Sequence, residues 1–173
     1  MPAPDTPGRI DTARLRLRRA RPDDLDAMHA VLSHPEAMRY WSSLPHTDIA
    51  QTQEWLANMI AGSPEESDDF VVEYAGQVIG KAGFWRIPAI GYILHPDYWG
   101  RGLATEALSA VIAHVFATYP IPIVVADVDP NNAASLALLA KLGFVETHRA
   151  ERTWQIGKTW YDSVFLALRR PSA

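Results

Sequence analysis

One stretch, Gly91-Tyr-Ile-Leu-His-Pro-Asp-Tyr-Trp-Gly-Arg-Gly-Leu-Ala-Thr-Glu-Ala107, constrains the fold of this chain more than any other. Residues 90–94 form a short apolar run that reads as a strand, and Pro96 stops it. Two glycines follow, Gly100 and Gly102, free to turn the backbone tightly and to approach a ligand without a Cβ in the way. An amphipathic helix opens at once, its apolar face set by Ala104, Leu108, Val111, Ile112 and Val115. The first turn of a helix has N–H groups without intrahelical partners and carries the positive end of the macrodipole. Strand, Gly-x-Gly loop and helix start therefore make an anion cradle of a size that suits a pyrophosphate. A plain strand-to-helix turn is the structural alternative. Two common phosphate fingerprints are absent: no Gly-x-x-x-x-Gly-Lys-Ser/Thr, and no Gly-x-Gly-x-x-Gly followed by the acidic residue of a dinucleotide fold.

A second segment, Asp127-Val-Asp-Pro-Asn-Asn132-Ala-Ala-Ser135-Leu-Ala-Leu-Leu-Ala-Lys-Leu-Gly143-Phe144, lies downstream. Before it, residues 121–128 are rich in β-branched side chains and read as a buried strand. Asp129 or Asn132 can cap the next helix, with Pro130 suited to its first turn. Leu136, Leu139 and Leu142 give the helical period, and Gly143 is a C-terminal stop. As structure alone, Asn132 and Ser135 are a cap and a first-turn hydroxyl.

Together the two segments resemble the GNAT acetyltransferases. That family's Gln/Arg-x-x-Gly-x-Gly/Ala core is matched by Trp99-Gly-Arg-Gly102-Leu-Ala104, with Trp99 departing from the pattern. The trailing Ala104-Thr-Glu-Ala107 is similar to the RimJ/RimL branch, the ribosomal-protein N-acetyltransferases. Asn132, Ser135 and Lys141-Leu-Gly-Phe144 correspond to the family's second conserved segment. The resemblance spans about residues 12–169. It implies an α/β GNAT fold, a mixed and mostly antiparallel sheet with helices on both faces. Two parallel strands, residues 90–94 and 121–128, would splay to admit coenzyme A. Acetyl-CoA would be the co-substrate, with no metal, held by Ile93, Leu94, Trp99, Gly100, Arg101, Gly102, Leu103, Ala104, Thr105, Asn132 and Ser135. The backbone N–H of Leu94 or its neighbour would polarise the thioester carbonyl, and Ser135 would meet the leaving sulfur. The tyrosine that many relatives place four residues before Gly-Phe is replaced here by Leu139. Tyr40, Trp41 and His95 fall where relatives wall the acceptor site, with the hairpin around Gly157 opposite; the structural alternatives are loop aromatics that plug the core and a structural or solvent-facing histidine. Glu73 could reach the cleft or point to solvent, Glu106 suits a helix first turn, and Glu151 misses the position where some relatives carry a base.

With 173 residues and 48% hydrophobic content the chain can bury one core and leaves little room for two. A net charge of −4 and a pI near 5.8 leave no basic footprint for nucleic acid. A mild acidity fits a cationic acceptor. There is no cysteine, so disulfides, thiolate metal sites and a cysteine nucleophile are excluded. No apolar run reaches membrane-spanning length and no signal-peptide core is present, so the expectation is a cytoplasmic enzyme with no membrane partner.

Along the chain, residues 1–9 are Pro-rich and expected to be flexible, and residues 10–170 are expected to form a single domain. Leu15 and Leu17 alternate with arginines as a strand would. Pro22 opens a helix with Leu25, Met28, Val31 and Leu32 inward, and Thr47 or Asp48 starts another with Trp55, Leu56, Met59 and Ile60 inward. Residues 62–69 read as polar loop. Ala75-Gly76 and the segment 156–159 read as hairpin turns. The order is β, α, α, β, β, β, α, β, α, β, β. Acetyl transfer to a primary amine, on a small molecule or a protein N-terminus, is the leading functional expectation. A GNAT-fold module that holds an acyl-CoA without turnover is the alternative. A nucleotide-binding regulator is disfavoured, because no lysine or Ser/Thr metal ligand follows the glycines. Homodimerisation is left open.

Overall fold

The computed structural model describes residues 8–172. Of the segment expected to be flexible, residues 1–7 lie outside the described residues, and Arg9 already opens a strand. Eight strands form one sheet: β1 (Arg9–Asp11), β2 (Leu15–Arg18), β3 (Asp68–Tyr74), β4 (Gln77–Arg86), β5 (Ala89–Leu94), β6 (Ile123–Val128), β7 (Val145–Ile156) and β8 (Thr159–Arg169). Their spatial order is β1-β2-β3-β4-β5-β6-β8-β7. Every pairing is antiparallel except β5 with β6. That parallel pair is joined by a helical crossover, as a parallel connection requires.

Side-chain alternation sorts the helices onto two faces. Phe70, Val72, Ala82, Phe84, Ile90, Val124 and Ala126 face α3 (Leu103–Thr118) and α4 (Ala133–Lys141), where Leu108, Val111, Val115 and Leu139 complete the larger core. Val71 and Ile93 face the other way, against Met28, Val31 and Leu32 of α1 (Leu25–Leu32) and Trp55 and Met59 of α2 (Ile49–Ala61). The β3–β4 turn has positive φ at both Ala75 (49°) and Gly76 (80°), the geometry that matches hairpin twist.

Four details depart from the sequence reading. β1 is an additional edge strand, and β3 starts at Asp68, inside the segment read as loop. The Asp68 carboxylate is buried and bonded by His114 Nε2 at 2.6 Å, with Arg19 at 2.7 Å. Ile60 is 43% exposed, and Thr52 takes the inward position instead, its hydroxyl held between His29 Nδ1 and His46 Nδ1 at 2.7 and 2.8 Å. Pro130 lies in the turn before α4, whose cap is Asn132.

Candidate active site

The decisive local feature is a fork between β5 and β6. Their only register pair is Ala89 with Val125, and the strands diverge beyond it. His95 N–H bonds the Ile79 carbonyl at 2.8 Å, so alternation turns the amides of Tyr92 and Leu94 away from β4 and into the fork. The Leu94 carbonyl accepts from Trp99 Nε1 at 2.9 Å, which ties the following loop to the fork. Gly100 and Gly102 sit at φ 71° and 74°, left-handed values that a side chain at either position would strain. Gly102 caps α3, whose first turn presents its N–H groups to the same opening.

Glu106 of that first turn is held by the β1–β2 connection. Thr12 Oγ1 and Arg14 N donate to Oε1 at 2.6 and 2.8 Å, and Arg14 Nε donates to Oε2 at 2.7 Å. Burial opposes ionisation of Glu106, but these bonds prevail and hold its carboxyl below the ordinary value. Arg14 also donates to the Arg101 carbonyl at 2.9 Å, bracing the loop from behind. Glu106 is thus a structural anchor.

Across the fork, Ser135 opens α4. Its N–H donates to Asn132 Oδ1 at 3.2 Å, so Asn132 is a true cap while also lining the cleft. The Ser135 hydroxyl is hydrogen-bonded to the phenol of Tyr92. Burial pushes the Tyr92 pKa upward, only partly offset by the Ser135 bond, so the phenol stays neutral at ordinary pH.

The fork, the glycine loop and an aromatic-walled bay share one open cleft of about 1920 Å³. Ile93, Leu94, Trp99, Gly100, Gly102, Leu103, Ala104, Thr105, Asn132 and Ser135 all line it. Arg101 lies off the wall: its carbonyl is turned to Arg14 and its guanidinium packs over Tyr98. Tyr40 and Trp41 line the bay, Trp41 half-buried against the α1–α2 cluster. His95 does not line the cleft; it packs edge-on against His34 and Tyr98, at 5.1 and 6.3 Å between ring centres. Its position beside a proline at the strand end turns the ring away. Glu73 is likewise engaged elsewhere, paired with Arg18, which also bridges to Asp24.

Several cleft residues carry no motif in the sequence. Tyr92 is one, although it stands inside the most informative stretch. Lys81 is another: it is 2% exposed and ion-paired with Asp69 at 2.6 Å, with Trp41 at 5.9 Å. Trp85 packs over Gly91, and Trp154 of β7 donates its indole N–H to Asp127 of β6 at 2.7 Å. An alternating polar residue on a strand that flanks a fork is the signal that could have flagged Tyr92 and Asp127.

A loop of amides, a strand amide and a hydroxyl pair in one fork are groups that acyl transfer can use. The sequence matches the acetyltransferase (GNAT) domain over residues 14–145. The chain belongs to the GNAT acetyltransferase family. This GNAT chain is 32% identical over 142 residues to the uncharacterised N-acetyltransferase p20 of Bacillus licheniformis, covering 77% of the chain and 80% of that protein. It is 27% identical over 139 residues to the spermidine N(1)-acetyltransferase of Escherichia coli (strain K12), covering 75% and 72%. Among solved structures, RimL, a ribosomal L7/L12 alpha-N-protein acetyltransferase in complex with coenzyme A, superposes with a TM-score of 0.82 at 20% identity, covering 93% of this chain and 97% of that one. Among the described residues no helix is long and apolar enough to cross a membrane, and no group of three or more His, Asp or Glu could hold a metal ion.

Proposed function

We propose that the protein transfers the acetyl group of acetyl-CoA to a primary amine, on a small molecule or a peptide N-terminus, with the amine entering from the aromatic bay. The observation that carries this reading is the fork, where loop amides, strand amides and the Ser135–Tyr92 hydroxyl pair converge. Acetyl-CoA, when bound, supplies an activated thioester. The amides of the loop and the α3 first turn would hold its pyrophosphate, which the left-handed glycines support. The Leu94 N–H would accept the charge that develops on the carbonyl oxygen, a contribution typically worth about 3 kcal/mol. Ser135 would donate a hydrogen bond to the departing sulfur, its own oxygen satisfied by Tyr92. The amine must arrive or become neutral before attack, with its proton passing to water through the open side of the bay.

Calorimetric titration with acetyl-CoA, followed by free-thiol release with amine acceptors, tests the reading. Ser135→Ala is expected to lower kcat roughly tenfold with the acetyl-CoA KM unchanged. A purely capping role for Ser135 would instead leave turnover intact. Absence of acetyl-CoA binding by the parent protein overturns the whole assignment.

A further inference from the structure

Beyond the last paired rung of the fork, Ala89 with Val125, the next outward residues on the same face are Gly91 and Asp127. Val124, Ala126 and Val128 point into the α3-side core, so Asp127 points to the opposite face, the one that carries Ile93, Lys81 and Trp41. That is the acceptor face. The adjoining rung carries Tyr92, whose phenol meets Ser135 on the other face of the sheet. Asp127 therefore stands next to the fork's reacting end, across the sheet from the hydroxyl pair.

Its carboxylate is exposed to the cleft and has a single bond, from the Trp154 indole to Oδ2. The cleft is also lined by Glu36, Glu65 and Glu66, which lie on loops; the other carboxylates on its strands and on the turn after β6 are engaged differently. Asp69 is matched by the buried Lys81, Asp129 accepts from Asn131 N–H, and Asp162 accepts from the Arg152 N–H. Asp127 has no cationic partner among the described residues, yet it is held in place by a neutral donor that leaves its charge intact. Beside it the Trp154 ring is 41% exposed, and the Trp85 ring, 53% exposed, covers the bare Gly91 on the facing strand. A carboxylate held by one exposed indole, with a second exposed indole on the facing strand, matches an alkylammonium group by charge and by ring face.

Resting on the acetyl-transfer reading above, we propose that Asp127, oriented by Trp154, anchors the acceptor as its ammonium at the fork, and that the enzyme therefore selects amines that are cationic at neutral pH. Asp127 acts as an anchor, and the proton leaves to water once the nitrogen is placed.

The test uses the full chain, with spermidine and, separately, a short peptide carrying a free α-amine. Acetyl-CoA affinity and thiol release are measured first on the parent; a parent that binds no acetyl-CoA overturns the donor reading and this inference together. In the coenzyme A complex, calorimetry should give tighter binding of each amine than of its N-acetylated form. Asp127→Asn keeps an oxygen for the Trp154 N–H but removes the charge. It should raise the amine KM at least tenfold, with kcat at saturation no lower and acetyl-CoA affinity and melting temperature unchanged. Asp127→Glu should recover part of the loss, and Trp154→Phe should raise the same KM by a smaller factor. An Asp127→Asn enzyme with the parent's amine KM overturns the inference while leaving the donor reading intact. So does a parent that binds the amines no better than their acetylated forms.

Discussion

The two halves of the cleft are built from different material. The half proposed for the donor offers main chain: left-handed Gly100 and Gly102, the first-turn amides of α3 and the strand amides of Tyr92 and Leu94. The half proposed for the acceptor offers side chains on separate elements, Trp41 before α2, Asp69 on β3, Lys81 and Trp85 on β4, Asp127 on β6 and Trp154 on β7. Backbone recognition asks only for a conformation, so side chains there are free to change. Trp99 can replace the usual Gln/Arg because its indole merely ties the loop to Leu94. Side-chain recognition has no such freedom, and it is where one GNAT protein can differ from another in its acceptor.

The largest effect that separates the halves is expected at the buried Lys81–Asp69 pair. Asp69→Ala leaves Lys81, 2% exposed, without its counter-ion. Such a loss costs about 3 kcal/mol or more, which lowers the melting temperature by roughly 6–12 °C in a domain of this size. The coenzyme A affinity of the folded protein should hold. Asp69→Leu combined with Lys81→Met should restore most of the stability, since neither charge is left alone. Differential scanning calorimetry of the three variants decides the point; equal melts for parent and Asp69→Ala would mean the pair is effectively solvated.

Gly102→Glu attacks the donor half at its backbone. Space is not the obstacle, since an added Cβ would meet only Arg14 Nη2 at 3.5 Å. The left-handed φ of 74° and a negative charge at the anion cradle are. Coenzyme A affinity should fall at least tenfold, about 1.4 kcal/mol, with the fold retained. Unchanged affinity by calorimetry would remove the loop from the binding site.

These halves were not equally legible in the sequence. The donor half is contiguous, and its strand, glycines and helix start are each fixed by local backbone preference. The Asn132–Ser135 helix start followed from the same local logic, and the parallel pair from the resemblance to the family. The acceptor half is assembled by pairing across the sheet, and nothing local reveals that Asp127 and Trp154 are neighbours. His95 shows the converse: adjacency to the motif left a cleft role and a structural one open, and the ring packs against His34 and Tyr98. Ile60 and Thr52 exchanged roles for a related reason, because a hydroxyl flanked by His29 and His46 can be buried once both bonds are made.

Trp41→Ala sharpens the acceptor side. The ring lines the bay and also packs on the α1–α2 cluster near Met28 and Ile93. The amine KM should rise about fivefold, near 1 kcal/mol, with a modest drop in melting temperature. Acetyl-CoA affinity should not change. A joint loss of both ligands in steady-state kinetics would assign Trp41 to the core alone.

The smallest expected effect concerns the one place where a side chain supports the donor half. Glu106 gathers Thr12 and Arg14, and Arg14 reaches the Arg101 carbonyl behind the glycine loop. The Glu106 carboxyl is held below its ordinary value of 4.5, so its ionisation stabilises the fold. A group with a depressed pKa contributes fully above the ordinary value, and that contribution is lost as pH falls through the folded value. Glu106→Gln keeps the shape and removes the charge. At pH 7 it should cost the fold a small amount of stability, within the 0.3–1 kcal/mol expected of a carboxylate at a helix start. The gap in melting temperature between parent and variant should be constant from neutral pH down to about 4.5 and close below it. A gap that never closes as pH falls would show that the brace acts through packing, and a coenzyme A affinity untouched by the variant would confine the brace to stability, leaving the donor half a purely main-chain device.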